Sequence, residues 1–173
     1  FNVDVSSISA TSVKLNAGLV ALGSVQGGSY TFSIPDDITV NSNSNGIVKF
    51  DNISIYEGNY LTKTFEVISS ETNQRFILPN ANIDTSSIRV SVNGVTYNAY
   101  TNIFNVDSSS RLFLVQEIED ERYQILFGDG ILGRKPQNGE IITVSYIVTN
   151  GQDGNDAANF NFAGKLTYRS GAS

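Results

Sequence analysis

The chain has 173 residues, 40% of them apolar and 16% charged, with a net charge of -6, which allows one ordinary domain or two small ones and speaks against disorder throughout. It contains no His, Cys, Met or Trp, which excludes His-assisted nucleophiles, thiolate zinc sites, His-ligated haem and disulfide scaffolds, so no metal or other cofactor is expected. The acidic balance argues against a phosphate backbone as partner, because nucleic-acid binders carry clustered Lys and Arg.

Ile and Val together number 32 and Thr 12, against 10 Leu, a set of β-branched side chains that suits a pleated, half-buried surface. No helical period lasts beyond two turns. The expected class is therefore mainly β, with short-stranded sandwich-like or mixed β subdomains, long loops and little helix. No apolar run is long enough to span a bilayer, and Phe1-Asn2-Val3-Asp4 lacks the basic start and apolar stretch of a signal peptide. The missing initiator Met suggests a fragment or a processed piece.

Residues 1–72 read as a first β subdomain, with strands at Phe1 to Val5, Ser12 to Leu15, Tyr30 to Ile34, Ile47 to Phe50, Ile53 to Tyr56 and Leu61 to Ile68. Ser, Asn and Gly connect them, as in Gly27-Gly28-Ser29 and Asn41-Ser42-Asn43-Ser44-Asn45-Gly46, where short side chains bond their own backbone. Leu15 to Gly23 fits a short helix stopped by Gly23 or a further strand, with the strand preferred. Residues 73–173 read as a second β subdomain. Arg75 to Pro79 is a strand ended by Pro, and Ile88 to Val92 alternates, with Ile88, Val90 and Val92 on one side. Asn93-Gly94 accepts positive φ at both centres of a type I′ turn, which predicts a two-residue hairpin into Val95-Thr96-Tyr97. Arg111 to Gln116, apolar on both faces, fits a strand buried centrally. Tyr123 to Phe127 is a strand running into Gly128-Asp129-Gly130. Glu140 to Thr149 carries apolar residues on both faces, so cover on both sides is expected. The tail from Asn150 is rich in Gly, Asn and Asp before a pattern returns at Phe160, Phe162, Leu166 and Tyr168.

Three constellations carry possible chemistry. Glu117, Glu119, Asp120 and Glu121, with Asp129 beyond the next strand, offer carboxylates for a glycosidase pair, but no Trp platform stacks a sugar and nothing isolates one acid in an apolar pocket. Asn150 to Asp156 is rich in oxygen ligands like a calcium loop, yet it lacks the Glu and the alternating acids of that pattern and reads better as a Gly-rich turn. The Gly-rich stretch FGDGILGRKPQNG lacks the helix whose N-terminus would face a phosphate. There Gly128, Gly130 and Gly133 allow a tight reversal and a close backbone approach, Asp129 caps backbone N–H groups, and Asn138-Gly139 turns the chain into the next strand.

This third stretch also carries a resemblance. ERYQILFGDGILGRKPQNGEIITVSYIVTNGQDGN strongly resembles the signature of the baseplate wedge proteins of contractile-tailed, T-even-type phages, the baseplate J-like group. The matching positions are Phe127, Gly128, Asp129, Gly130, Gly133, Pro136, Gly139, Tyr146, Thr149, Gly151, Gly154 and Asn155, and the likeness extends over about residues 60–170. The resemblance implies a virion component of the tail baseplate, assembled in the host cytoplasm, without enzymatic activity or cofactor. It implies partners among other baseplate wedge proteins, and a homodimer or higher ring oligomer of the full protein around the hub and tail tube that rearranges on contraction. It implies neither nucleic acid nor membrane as partner.

For such a module the aromatics near turns are candidate contacts: Tyr97 and Tyr100 after the hairpin, Tyr123 beside the acidic link, and Phe160 and Phe162 near the end. Arg134 and Lys135 form the only adjacent basic pair and could meet an acidic partner. The alternative is a receptor- or carbohydrate-binding β module of a tail fibre, which would need an aromatic-lined pocket or a bound calcium.

Overall fold

The computed structural model describes residues 1–25, 28–71, 73–100, 106–151, 154 and 156–170. Gly27, Asp153 and Asn155 of the segments singled out above lie outside the described residues. The chain is mainly β, as its composition predicts, with sixteen strands and two single-turn 3₁₀ helices among the described residues. Its contacts form two compact units, one of Phe1–Tyr60 with Asn150–Ser173 and one of Leu61–Thr149. The division is therefore not a cut at 72/73: one unit is interrupted in sequence by the other, and the residues after Thr149 pack with the first sixty.

In the interrupted unit, β1 (Asn2–Asp4), β2 (Ala10–Leu15), β3 (Gly18–Val25), β4 (Gly28–Ile34), β5 (Ile38–Asn41), β6 (Ile47–Lys49) and β7 (Tyr56–Glu57) precede the interruption. Leu15 to Gly23 thus divides between strands and forms no helix. Ile53 to Tyr56, expected as a strand, is irregular until Tyr56. Ile53 and Ile55 instead lie half-buried against the core, so their spacing reflects packing without a ladder. The sheets order as β1-β6, as β7-β4-β3 and as β5-β2, and each of the latter two gains a strand from the returning chain, described below. Val5, Val13, Leu15, Val20, Ile34, Val48 and Phe50, from all three sheets, make one buried core.

The continuous unit contains β8 (Asn59–Glu66), β9 (Phe76–Ile77), β10 (Ile83–Val92), β11 (Val95–Ala99), β12 (Leu112–Glu117), β13 (Tyr123–Phe127) and β14 (Ile141–Val148). They form one seven-stranded sheet in the order β8-β14-β10-β11-β12-β13-β9. The sheet curls until its two edges nearly meet: Phe65 of β8 and Phe76 of β9 pack edge to face at 5.6 Å, and the Gln74 side chain bridges the Ile68 N–H at 2.9 Å and the Glu66 C=O at 2.6 Å. Such near-closure hides strand edges that would otherwise recruit other chains. Inside lie Leu78, Ile88, Val90, Val92, Tyr97, Phe113, Ile125, Ile142, Val144 and Tyr146.

The Asn93-Gly94 turn takes φ of 48 and 77 and pairs Val92 with Val95, the two-residue hairpin expected from the dipeptide. Asn93 also ties the hairpin to β14, since its Oδ1 accepts the Ile141 N–H at 2.9 Å and its own N–H donates to the Ile141 C=O at 2.9 Å. β12 does sit between two strands, parallel to β11 and antiparallel to β13. It is not buried on both faces, however, because a curled sheet has one inside: Phe113 is buried while Leu114 is 46% exposed. β14 behaves similarly, with Ile142, Val144 and Tyr146 inward, Ile147 the one fully covered residue of the other face, and Ile141 exposed.

After Thr149 come β15 (Ala158–Phe162) and β16 (Leu166–Ser170), which join β3 and β2 respectively. The Glu57 carboxylate accepts the Asn150 N–H at 2.9 Å and its side-chain amide at 2.7 Å, so the departing and returning segments are fastened side by side. Replacing Asn93-Gly94 by Val-Val places β-branched residues at two left-handed positions. Urea unfolding should show a loss of about 2 kcal/mol, and an unchanged midpoint would contradict the turn's part in holding β10, β11 and β14 together.

Candidate functional site

The densest conjunction of sequence signals is the corner between β13 and β14, residues 128–140. Its geometry starts from one contact: a Cβ on Gly128 would lie 2.2 Å from the backbone C and O of Gly133, so the two segments touch only because a hydrogen occupies that place. The Gly130 N–H then donates to the Gly133 C=O at 3.0 Å. Gly130, Gly133 and Gly139 all have positive φ. Asp129 Oδ1 accepts the Ile131 N–H at 2.8 Å and the Leu132 N–H at 2.9 Å, and these bonds hold its carboxyl below the usual carboxylate range. Asp129 therefore caps the loop from within.

Both flanks are fastened to other parts of the same unit. The Gly133 N–H donates to the Asp107 C=O at 2.9 Å and the Arg134 N–H to the Ser110 C=O at 2.7 Å. Asp107 Oδ1 in turn accepts from Ser109 N–H and Oγ, each at 2.8 Å, and from Ser110 Oγ at 2.9 Å, bonds that keep its carboxyl ionised to lower pH. On the far side, the Gly139 N–H donates to the Val67 C=O at 2.8 Å and the Val67 N–H to the Glu140 C=O at 2.9 Å. Asn138 Oδ1 accepts the Ser69 N–H at 2.9 Å.

A half-buried ion pair closes the corner. Arg134 Nη2 and Nη1 donate to Glu140 Oε1 at 2.7 Å and Oε2 at 3.0 Å, the two-pronged geometry that makes Arg–carboxylate pairs strong. Arg134 Nη1 also donates to the hydroxyl of Tyr97, and the Gln137 N–H donates to Glu140 Oε2 at 2.7 Å. The guanidinium lowers the Glu140 pKa, and the carboxylate and the Tyr97 hydroxyl raise that of Arg134. Beneath them runs a chain of edge-to-face rings, Phe65 to Phe76 at 5.6 Å, Phe76 to Phe127 at 5.7 Å and Phe127 to Tyr97 at 5.6 Å, each such pair adding about 0.5–1.5 kcal/mol beyond its burial.

The structure separates the other sequence candidates. Tyr97 is 3% exposed and belongs to the core, where its hydroxyl serves Arg134; it is not displayed for a partner. Arg134 is likewise occupied by Glu140, whereas Lys135 is exposed and Pro136 buried. Tyr146 is buried and donates its hydroxyl to Asn80 Oδ1 at 2.7 Å, and burial raises its pKa. Tyr123 packs half-buried on the inner core, and Tyr100 is half-buried with its N–H on the Phe113 C=O at 2.8 Å. Phe160 and Phe162, about half exposed, pack on Phe32 edge to face and on Phe1 at a tilt, each with ring centroids 4.9 Å apart, in the interrupted unit. Gly151 is exposed, and Gly154 is buried against Glu57, where a Cβ would come within 2.5 Å of that side chain.

Glu117 ends β12 and Glu119 to Glu121 turn the chain into β13, at the opposite end of β13 from Asp129. Five residues of strand span roughly 16 Å, well beyond the about 5–10 Å between the carboxyls of a glycosidase. The corner offers an anion no cradle either, since the N–H groups of Gly130, Ile131, Leu132, Gly133 and Arg134 are taken up internally. Among the described residues no group of three or more Asp or Glu could hold a metal ion. What the arrangement can do is hold two long strands and two distant loops at one fixed angle. Sequence reasoning missed Glu140 as the partner of Arg134, Asp107–Ser110 as the loop's anchor, and the apolar tip of Ile131 and Leu132, which are 76% and 53% exposed.

Gly128→Val must separate two backbones, so thermal or urea melts should show a loss of about 3 kcal/mol or more, or no folded protein. Asp129→Asn keeps an acceptor oxygen and should shift the melt far less. A melt of Gly128→Val that overlays the wild type would refute the close approach. For Glu140, a folded pKa below the unfolded one means stability that is fully present above the unfolded value, about pH 4.3, and is lost as pH falls through the lower folded value. Urea midpoints taken from about pH 7 down to about pH 3 should therefore fall less steeply in Glu140→Gln than in the wild type. Parallel curves would deny the ion pair this part in acid lability.

Comparison with known proteins gives the corner its context. The model of the third domain of bacteriophage baseplate wedge protein gp6 matches residues 63–149, half of the chain and within two residues of the Leu61–Thr149 unit at its start. The baseplate wedge protein gp6 of Enterobacteria phage T4 is 29% identical over 108 residues, a match covering 53% of this chain and 16% of that protein. The chain thus spans only a small part of the relative's length. Because the family model covers half of the chain and nearly the whole Leu61–Thr149 unit that carries the glycine corner, the chain belongs to the family of the third domain of bacteriophage baseplate wedge protein gp6.

Proposed function

We propose that this chain is a structural, non-catalytic part of a phage tail baseplate wedge. In that role it holds neighbouring wedge subunits in the ring around the hub and tail tube and keeps its shape while the ring rearranges on contraction. The observation that carries the reading is the coincidence of the family match with a unit whose corner spends its polar groups on itself. Such a corner suits a part that must transmit force between neighbours, because a bistable or ligand-gated loop would leave donors unspent.

The surface supports the same reading. Leu114 and Leu132 are exposed in a shallow apolar groove that Tyr100, Leu126 and Phe127 also line, with the exposed Ile131 next to Leu132 in the chain, and exposed apolar patches mark protein contact sites. A standard interface buries roughly 1,200–2,000 Å², within reach of a unit this size. Partners are accordingly other baseplate wedge proteins, and the location is the virion tail baseplate. Size-exclusion chromatography with light scattering, on the chain alone and mixed with the other wedge proteins of the same baseplate, tests this. Co-elution with a wedge protein is expected. A chain that stays apart from all of them and instead retains or cleaves glycans would overturn the assembly role in favour of a tail-fibre module.

A further inference from the structure

The continuous unit has a second depression, walled on one side by Gly128, Lys135 and Pro136 of the glycine corner: a cleft of about 400 Å³, inside the about 300–1,000 Å³ range of sites that enclose a ligand-sized group. Phe76 and Pro136 give it apolar walls, and three charged side chains reach it, Arg75, Lys135 and Glu71. Within a chain of net charge -6 this is a local excess of positive charge. Among the described residues no ion pair occupies Arg75 or Lys135, although Lys135 lies near enough to Asp129 for its charge to help keep that carboxyl ionised. Arg75 is nevertheless held in place: its Nε donates at 2.7 Å to Oε1 of Gln124, a polar side chain only 8% exposed. A buried amide thus orients a guanidinium whose two terminal nitrogens have no protein acceptor among the described residues, an arrangement suited to a carboxylate.

The same chain displays a complementary piece. Glu117, Glu119, Asp120 and Glu121 are all exposed on the β12–β13 turn, which is drawn narrow by the Ile118 N–H on the Arg122 C=O at 2.8 Å. Asp120 and Glu121 hold φ of 62 and 54, two consecutive left-handed residues without glycine, a conformation that costs about 1–2 kcal/mol at each. Of the four acids only Asp120 has an ion pair among the described residues, with Arg122 at 3.2 Å.

We infer that the Arg75–Lys135 cleft receives the acidic turn of a second copy of this chain. Cleft and turn are different patches of one surface, so the contact is head to tail, and repeating it closes a ring or extends a filament. The inference rests on the assembly role proposed above and deepens it by naming one contact.

Charge exchange tests it on the chain as it stands. Sedimentation velocity should show self-association that weakens between about 0.05 M and about 0.5 M salt, as the screening length shortens. The cleft variant Arg75→Glu/Lys135→Glu and the turn variant Glu119→Lys/Glu121→Lys should each associate about tenfold more weakly or not at all. An equimolar mixture of the two should recover association, because each reversed cleft then meets a reversed turn. Circular dichroism checks folding, and Lys135→Glu alone carries the cleft arm if losing the Arg75–Gln124 bond unfolds the double variant. Absence of self-association, association that neither variant alters, or a mixture that does not recover each overturns the contact. If the cleft variant loses a neighbouring wedge protein while self-association is unchanged, the occupant is an acidic segment of that neighbour and the head-to-tail contact falls, yet the assembly role stands. Loss of both readouts in the wild type would bring down the assembly role itself.

Discussion

Gly128 and Gly133 meet backbone to backbone, and the rest of the corner follows from how close they come. Bringing the two segments together aligns the Gly130 N–H with the Gly133 C=O and carries Arg134 to the Ser110 C=O. From there the guanidinium reaches both Glu140 and the Tyr97 hydroxyl. A side chain at position 128 would displace every one of these partners at once. The contact is steric and cannot be compensated by rotating a rotamer, which gives it precedence over the hydrogen bonds that it positions.

The ion pair built on that contact is of the kind whose worth depends on its neighbours. Arg134 and Glu140 are neither fully exposed, where screening would make the pair nearly neutral, nor buried without help, where desolvation would outweigh attraction. Their side chains are 30% and 17% exposed, and Tyr97 and the Gln137 N–H satisfy further positions on each. Beneath them four aromatic rings supply packing without polar groups of their own to satisfy, apart from the Tyr97 hydroxyl, which Arg134 takes. Polar closure above and aromatic packing below leave the corner few alternative arrangements of similar energy.

Local chemistry was the legible part of the chain. Asn93-Gly94 names its own turn because two left-handed positions in a row admit few other residues, and Asp129 as an internal cap follows from a short acceptor between glycines. Partners across the fold were not legible. Glu140 is six residues from Arg134 with a turn between them, and nothing in its spacing distinguishes it from a solvated acid. Tyr97 faces inward because β10 and β11 pair Val90 with Tyr97, a register that alternation near a turn leaves ambiguous. Apolar residues on both faces of β12 imply cover on both faces only in a flat, sandwiched sheet; in a curled one the outer Leu114 remains open. The pairing of β16 with β2 joins residues more than 150 apart, and no periodic pattern in either segment encodes that choice.

That last pairing also sets an order of events during synthesis. The inner unit is continuous in sequence, so every strand it requires has been made by Thr149, whereas β2 and β3 of the outer unit, paired on one side with β5 and β4, lack their second neighbour until residues 158–170 have been translated. Synthesis from N- to C-terminus therefore leaves residues 1–60 waiting with open strand edges while residues 61–149 fold. The Glu57–Asn150 clasp is the first feature that can bring the latecomers home, since Asn150 is the first residue past the inner unit to find a partner in the outer one.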